Sequence, residues 1–398
     1  MRASRSACVA TVLAAMAVCT MLGERAHAVA TTTRPGSILI FPKVVCQDGR
    51  DTVLQVTNTG NMPNDFRCFY LNGETCAETN FELTLTRQQP TAWQACAGRR
   101  VSPTDPQRGL DPGLIPALPR DYAGALVCAE VDSGDKPIIR NQLKGEATIV
   151  DGTAGPTAAA VGKYNAVAVA GVSGNADDTL KLDENEYVAC PISSQVNFRR
   201  EGTDGTVEEF GNGGLCANGV PCNSDNDCGA ATPCTTGQSR VTTRVTVVPC
   251  NLDFEALTRP DVSLNFEGFD VDESVISGGR RFSCWDSFLI NDVVTPPTTA
   301  AGSPPFATVT MTGVDPNSVE AEPAPMPVVG VVETFVSDSA GKVASSLTNL
   351  HMVGRCDAVK STDSRARATC TRDRDCGAAA AAGACVLKAD AAILLAEP

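Results

Sequence analysis

Cysteine constrains this chain more than any other feature. Eighteen cysteines are spread from Cys8 to Cys385. In an exported chain, an even and dispersed set reads as a disulfide framework. Export is read from the N-terminus. Arg2 and Arg5 precede an uncharged apolar run from Ala7 to Leu22, and Ala26-His27-Ala28 supplies a small-x-small site. That is the three-part plan of a secretory signal peptide over residues 1–28, with cleavage after Ala28 or, alternatively, after Ala30. The run is short for a bilayer span. A lipoprotein signal ending at Cys19 is the rival reading, but Val18 is bulky where a small residue is wanted. Cys8 and Cys19 leave with the leader, and sixteen remain. They are Cys46, Cys68, Cys76, Cys96, Cys128, Cys190, Cys216, Cys222, Cys228, Cys234, Cys250, Cys284, Cys356, Cys370, Cys376 and Cys385. All are expected in structural disulfides, with connectivity left open by spacing alone.

Charge narrows the partners. The chain carries a net −14. Losing Arg2, Arg5 and Arg25 together with Glu24 removes a net +2, so the mature chain stands at −16. An acidic surface without a basic block repels nucleic acid and anionic lipid. No later stretch is long and apolar enough for a transmembrane segment. The expected setting is extracellular, cell-surface or periplasmic, and the expected partner is a protein or glycan at the cell surface.

Short alternating runs separated by turn residues make the fold class. Aromatics are only 5%, while Gly (34) and Pro (25) are plentiful, which favours strands and turns over helices. GSILIFPKVVC (36–46) is an apolar run broken by Pro42, suiting an edge strand or a bulge. Val53, Leu54 and Val56 form a strand ending in Asn58-Thr59-Gly60-Asn61, with FRCFYL expected to return as its hairpin partner. FELTLTRQQPTAW (81–93) alternates Phe81, Leu83 and Leu85 against Glu82, Thr84 and Thr86, a one-sided strand. Residues 98–120 read as a long loop and 178–192 as a hairpin. YAGALVCAEV, KYNAVAVAGV, SRVTTRVTVVPCNL, DVSLNFEGFDV, RRFSCWDSFLINDV, ATVTMTGV, VVGVVETFVS and SSLTNLHMVGR read as further strands. DAAILLAEP is expected to pair with the last of them.

The phrase LQVTNTGN resembles the strand-and-turn phrase of bacterial immunoglobulin-like adhesion and surface domains, which implies a β-sandwich. The wider arrangement resembles a set of uncharacterised exported bacterial β-proteins, through SILIFP, Val248-Pro249-Cys250 and Cys284-Trp285. The fold expected is mostly β, one or two antiparallel Ig-like sandwich domains with disulfide-stapled loop insertions. The divisions expected are a β-sandwich domain over 29–210 and a cysteine-rich insertion over 211–238. A second sandwich or continuation follows over 239–398, carrying another insertion at 356–385.

Those insertions share a kernel. Cys222-x-x-Asp225-x-Asp227-Cys228-Gly229 returns as Cys370-x-x-Asp373-x-Asp375-Cys376-Gly377. The kernel resembles the whey-acidic and Dickkopf-type cysteine-rich repeats of extracellular proteins, though neither copy has the adjacent Cys-Cys pair of the whey-acidic core. Zinc would want closer thiolate pairs or histidines. Calcium in an EF-hand manner would want Gly where Cys228 stands and Glu where Cys234 stands. A covalent staple suits both copies: Asp caps turn amides, Gly allows positive φ, and a short disulfide loop contributes about 2 kcal/mol. As loop insertions they are candidate contact surfaces or protease-resistant loops.

Catalytic signatures are few. The mature chain has one histidine, His351, in an apparent strand, and Gly171-Val172-Ser173-Gly174-Asn175 fails as a nucleophile elbow at its last position. Glu267, Asp270, Asp272 and Glu273 cluster in FEGFDVDES, as a solvated strand end or a carboxylate pair for glycoside hydrolysis. Trp93 and Trp285 could stack on sugars, or Trp285 could pack against a disulfide at Cys284. The reading is a structural or binding protein with no catalytic residue, no cofactor and no metal ligand. The alternatives are a hydrolase using paired carboxylates and a secreted inhibitor acting through the cysteine modules.

Overall fold

Strict alternation buries one face of a strand, and an unbroken apolar run buries both. Both patterns recur here, and together they build a stack of sheets. The computed structural model describes residues 30–47, 49–100, 113–152, 160–173, 182, 186–188, 190–191, 193–199, 214–215, 221–222, 240–250, 261–270, 273–295, 306–318, 325–337, 343–356, 369–370 and 385–386. The expected leader, residues 101–112 of the loop expected over 98–120, most of both expected cysteine modules and DAAILLAEP lie outside these residues. Among the described residues the fold is mostly β, built of antiparallel sheets with no α-helix.

The first half holds β1 (Ile38–Gln47), β2 (Arg50–Asn58), β3 (Asn64–Asn72), β4 (Glu78–Leu85), β5 (Pro90–Gln94), β6 (Tyr122–Val131), β7 (Leu143–Asp151), β8 (Ala160–Asn165) and β9 (Val167–Val169). They form one nine-stranded sheet in the order β4-β3-β6-β1-β2-β7-β8, with β5 on β2 and β9 on β1. The sheet folds over because β1 meets β2 only at Cys46↔Asp51 and Gln47↔Arg50, while it pairs with β6 from Ile38 to Cys46 and with β9 over its first three residues, Ile38 to Ile40. Leu54 and Val56 of β2 thereby face Phe66 and Tyr70 of β3, Leu83 of β4 and Leu126 of β6 across one core. Each such side chain contributes about 2 kcal/mol by leaving water.

Two expectations are corrected here. FRCFYL does not pair with VLQV; it lies in β3, between β4 and β6. The Asn58 side chain is buried, and its amide donates to the carbonyls of Met62 and Thr86. That turns the Asn-Thr-Gly-Asn segment into an arch between layers rather than a hairpin. Pro42 does mark a bulge, with the β1–β6 register shifting between Phe41 and Val44. But β1 lies inside the sheet, and its run is buried on both faces.

The second half holds β10 (Ser193–Arg199), β11 (Gly214–Leu215), β12 (Pro221–Cys222), β13 (Arg240–Pro249), β14 (Asp261–Asp270), β15 (Val275–Ser283), β16 (Asp286–Leu289), β17 (Val294–Thr295), β18 (Phe306–Val314), β19 (Val328–Ser337), β20 (Val343–Asn349), β21 (His351–Cys356), β22 (Thr369–Cys370) and β23 (Cys385–Val386). One sheet runs β17-β15-β14-β18-β10-β21-β22, with β23 on β21, and a second runs β16-β13-β19-β20. Leu264, Phe266, Val309 and Phe198 of the first sheet pack on Val245, Val247 and Phe288 of the second. β10, on the N-terminal side of residue 210, pairs with β18 and β21 on its far side.

β19 joins the two halves. Val328 and Val332 face the second core, while Val329 and Val331 pack on first-half residues. Ile38, Ile40, Val127 and Val167, on the outer face of the β6-β1-β9 layer, meet Val248 and Val329 there. Four disulfides are seen among the described residues. Cys68–Cys128 links directly opposed positions of β3 and β6, and Cys46–Cys96 closes the first half. Cys190–Cys250 and Cys76–Cys284 complete the set. Cys356 and Cys385 stand opposite one another in the β21–β23 ladder.

Candidate functional site

Alternation in β14 sends Leu264 and Phe266 into the core and Asn265, Glu267 and Phe269 outward. The same alternation in β18 turns Thr308, Thr310 and Thr312 out between buried Ala307, Val309 and Met311. β10 adds Gln195 and Asn197, and β15 adds Val275 and Ser277. Strand register lines these up. Ser277, Glu267, Thr310, Gln195 and His351 form one row across five strands, and Val275, Phe269, Thr308 and Asn197 form the next. Gly268 allows the close approach: a Cβ there would lie 2.0 Å from the Thr308 carbonyl oxygen.

The result is an open groove of about 670 Å³ over the outer face of this sheet. Such a volume is within the range of small-ligand sites. Among the described residues its floor is hydroxyls and amides, with Glu267 as a single carboxylate. The Thr308 hydroxyl donates to Asn197 Oδ1 at 2.7 Å. Phe269 and Val275, opposed across β14 and β15, are 59% and 66% exposed and make an apolar corner.

Of the residues singled out from sequence, Glu267 enters the groove. Glu273 is exposed at the β14–β15 turn, where it takes a positive φ of 62°. The side chain of Asp270 and all of Asp272 lie outside the described residues. His351 is exposed on β21, three strand spacings from Glu267, or about 14 Å. That separation is too long for a direct acid–base pair. Trp93 is buried, with its indole N–H donating to the Tyr70 hydroxyl at 2.7 Å, so it presents no face to a sugar. Trp285 covers Gly73, where a Cβ would lie 2.2 Å from its ring. Its indole donates to the Pro42 carbonyl at 2.8 Å. It therefore belongs to the junction, next to the Cys76–Cys284 disulfide.

That junction is the second titratable cluster, and the sequence reading missed it. The Lys43 ammonium sits 2.6 Å from Glu333 Oε2, and Arg50 pairs with Glu333 Oε1. Burial pulls Lys43 down from its usual range to about 8, against the opposing pull of Glu333. Tyr164 completes the bulge by donating to the Lys43 carbonyl. Lys43 and Glu333 are 3% and 1% exposed, so this cluster meets no substrate and acts as an internal clamp. Among the described residues no group of three or more His, Cys, Asp or Glu could hold a metal ion. No described helix is long and apolar enough to cross a membrane.

No protein family matches this chain, and no curated protein matches it. Among solved structures it is similar to a Thermotoga maritima protein, 1070, at 11% identity and a TM-score of 0.24. That match covers 34% of this chain and 95% of the other. It is also similar to the PBSX exported protein XepA, at 10% identity and a TM-score of 0.18, covering 72% of this chain and 87% of the other. At those scores neither likeness bears on function.

Proposed function

We propose that this chain is an exported, non-catalytic binding or structural protein working at the cell surface or beyond it. Four disulfides among the described residues point to an oxidising compartment. The observation that carries the non-catalytic reading is the inventory of the open groove. Among the described residues it offers hydroxyls, amides and one carboxylate, an arrangement suited to holding a ligand by many weak bonds. Hydrolysis by paired carboxylates needs a second one across a cleft. The two cysteine modules are additional contact surfaces in this reading. The second springs from β21, at the edge of the groove's own sheet.

The test is direct. The secreted, disulfide-intact protein is incubated with neutral polysaccharides, peptides and esters, and product release is followed against a heat-denatured control. No turnover with any of them is the expected result. Sustained turnover that is lost on Glu267→Gln would overturn the reading in favour of a hydrolase.

A further inference from the structure

We propose that the groove over β15, β14, β18 and β10 is a binding site for a neutral polysaccharide strand, a proposal that rests on the non-catalytic reading above. Asn265, Ser277, Thr310, Thr312 and Gln195 point into the groove, and none has a side-chain hydrogen-bonding partner among the described residues. Each of them can both donate and accept, over a surface with strand spacing of about 4.8 Å. Sugar hydroxyls both donate and accept, so a chain of them can satisfy such an array without a matching charge.

The apolar corner supports the same ligand class. A pyranose ring is apolar on its C–H faces and polar at its rim. Phe269 with Val275 offers an exposed apolar platform beside the polar floor. Charge removes the competitors. The chain carries −14 overall, and among the described residues the groove holds Glu267 but no Lys or Arg, which disfavours polyanions. An extended peptide would instead seek a sheet edge, where backbone groups are free to pair. On this face the backbone is already committed to the β14–β15, β14–β18 and β10–β18 ladders.

The experiment titrates the secreted, disulfide-intact protein with cellohexaose, xylohexaose and N-acetylchitohexaose by calorimetry, with polygalacturonate as the anionic comparison. Saturable binding of at least one neutral hexaose is expected. Phe269→Ala should weaken it about tenfold and Asn265→Ala about fivefold. Thr84→Ala, on the exposed face of β4, should leave it unchanged. Intact mass and circular dichroism confirm that each variant is folded. Failure of the folded wild type to bind any neutral hexaose would overturn the proposal. So would binding of polygalacturonate alone, or affinity indifferent to both Phe269→Ala and Asn265→Ala. A concentration-dependent dimer abolished by Phe269→Ala, without sugar binding, would also overturn it and assign the face to self-association. Release of new reducing ends during saturable binding would support the site and overturn only the non-catalytic reading.

Discussion

The junction between the two halves and the open face of the second half treat the same chemical group in opposite ways. At the junction Glu333 is dry, touched by both Lys43 and Arg50, and surrounded by the Val329 and Val331 packing. On the open face Glu267 stands exposed in a row of neutral side chains. A carboxylate between two cations in a low-dielectric setting is a structural commitment, because its removal strands buried charge. A carboxylate in water commits nothing and stays available to a ligand. The difference marks which region holds the molecule together and which region leaves its side chains in water.

Glu333→Ala should break the comparison hardest. It leaves Lys43 and Arg50 without a counter-charge and should cost about 3–5 kcal/mol in a urea unfolding curve. Next in size is the pair Cys76→Ser with Cys284→Ser, which opens a link spanning 208 residues. A loss of about 2–4 kcal/mol is expected, with the two halves beginning to melt in separate transitions by calorimetry. Trp285→Phe leaves the Pro42 carbonyl without its indole donor and should cost about 1–3 kcal/mol. Glu267→Gln should change stability by less than about 0.5 kcal/mol. An effect there as large as at Glu333 would mean that the open face is structural after all.

A pH series sharpens the same contrast. Lys43 falls from 10.5 to about 8 on folding, through burial. Between those values the unfolded chain holds more protons, so this group makes stability rise with pH. Tyr70, Tyr122 and Tyr164 move the other way, since burial raises each phenol above its ordinary 10.0. Above about pH 10 the unfolded chain loses those protons first, and stability falls. Denaturant midpoints should therefore climb above pH 8 and turn down past 10. Lys43→Met should remove the climb and keep the fall.

Much of the strand content was legible. FELTL and DVSLNFEGF alternate cleanly because each has one wet face, and the structure buries Phe81, Leu83 and Leu85, and Leu264 and Phe266, as that alternation requires. The groove left its own trace in TVTMT, where Thr308, Thr310 and Thr312 alternate with Val309 and Met311. Nothing in that trace says that the three threonines face open space beside Asn265 and Gln195. Three runs that look continuous are each cut in two. KYNAVAVAGV divides at Ala166 into β8 and β9, RRFSCWDSFL at Cys284-Trp285 into β15 and β16, and SSLTNLHMVGR at Leu350 into β20 and β21. One residue makes the first and last crossings and two make the middle one, and of these only Cys284, with a φ of 52°, takes an unusual backbone state.

What the residues settle alone is local: an even, dispersed set of cysteines, short β-runs, an acidic composition, and a proline that bends the first strand. Those follow from side-chain chemistry and backbone sterics within a few positions. The layering, the Cys76–Cys284 link, the Lys43–Glu333–Arg50 clamp and the row from Ser277 to His351 belong to the folded chain. They join groups up to 290 residues apart, as Lys43 and Glu333 are. Such meetings depend on which faces can exclude water together, and no local pattern carries that information.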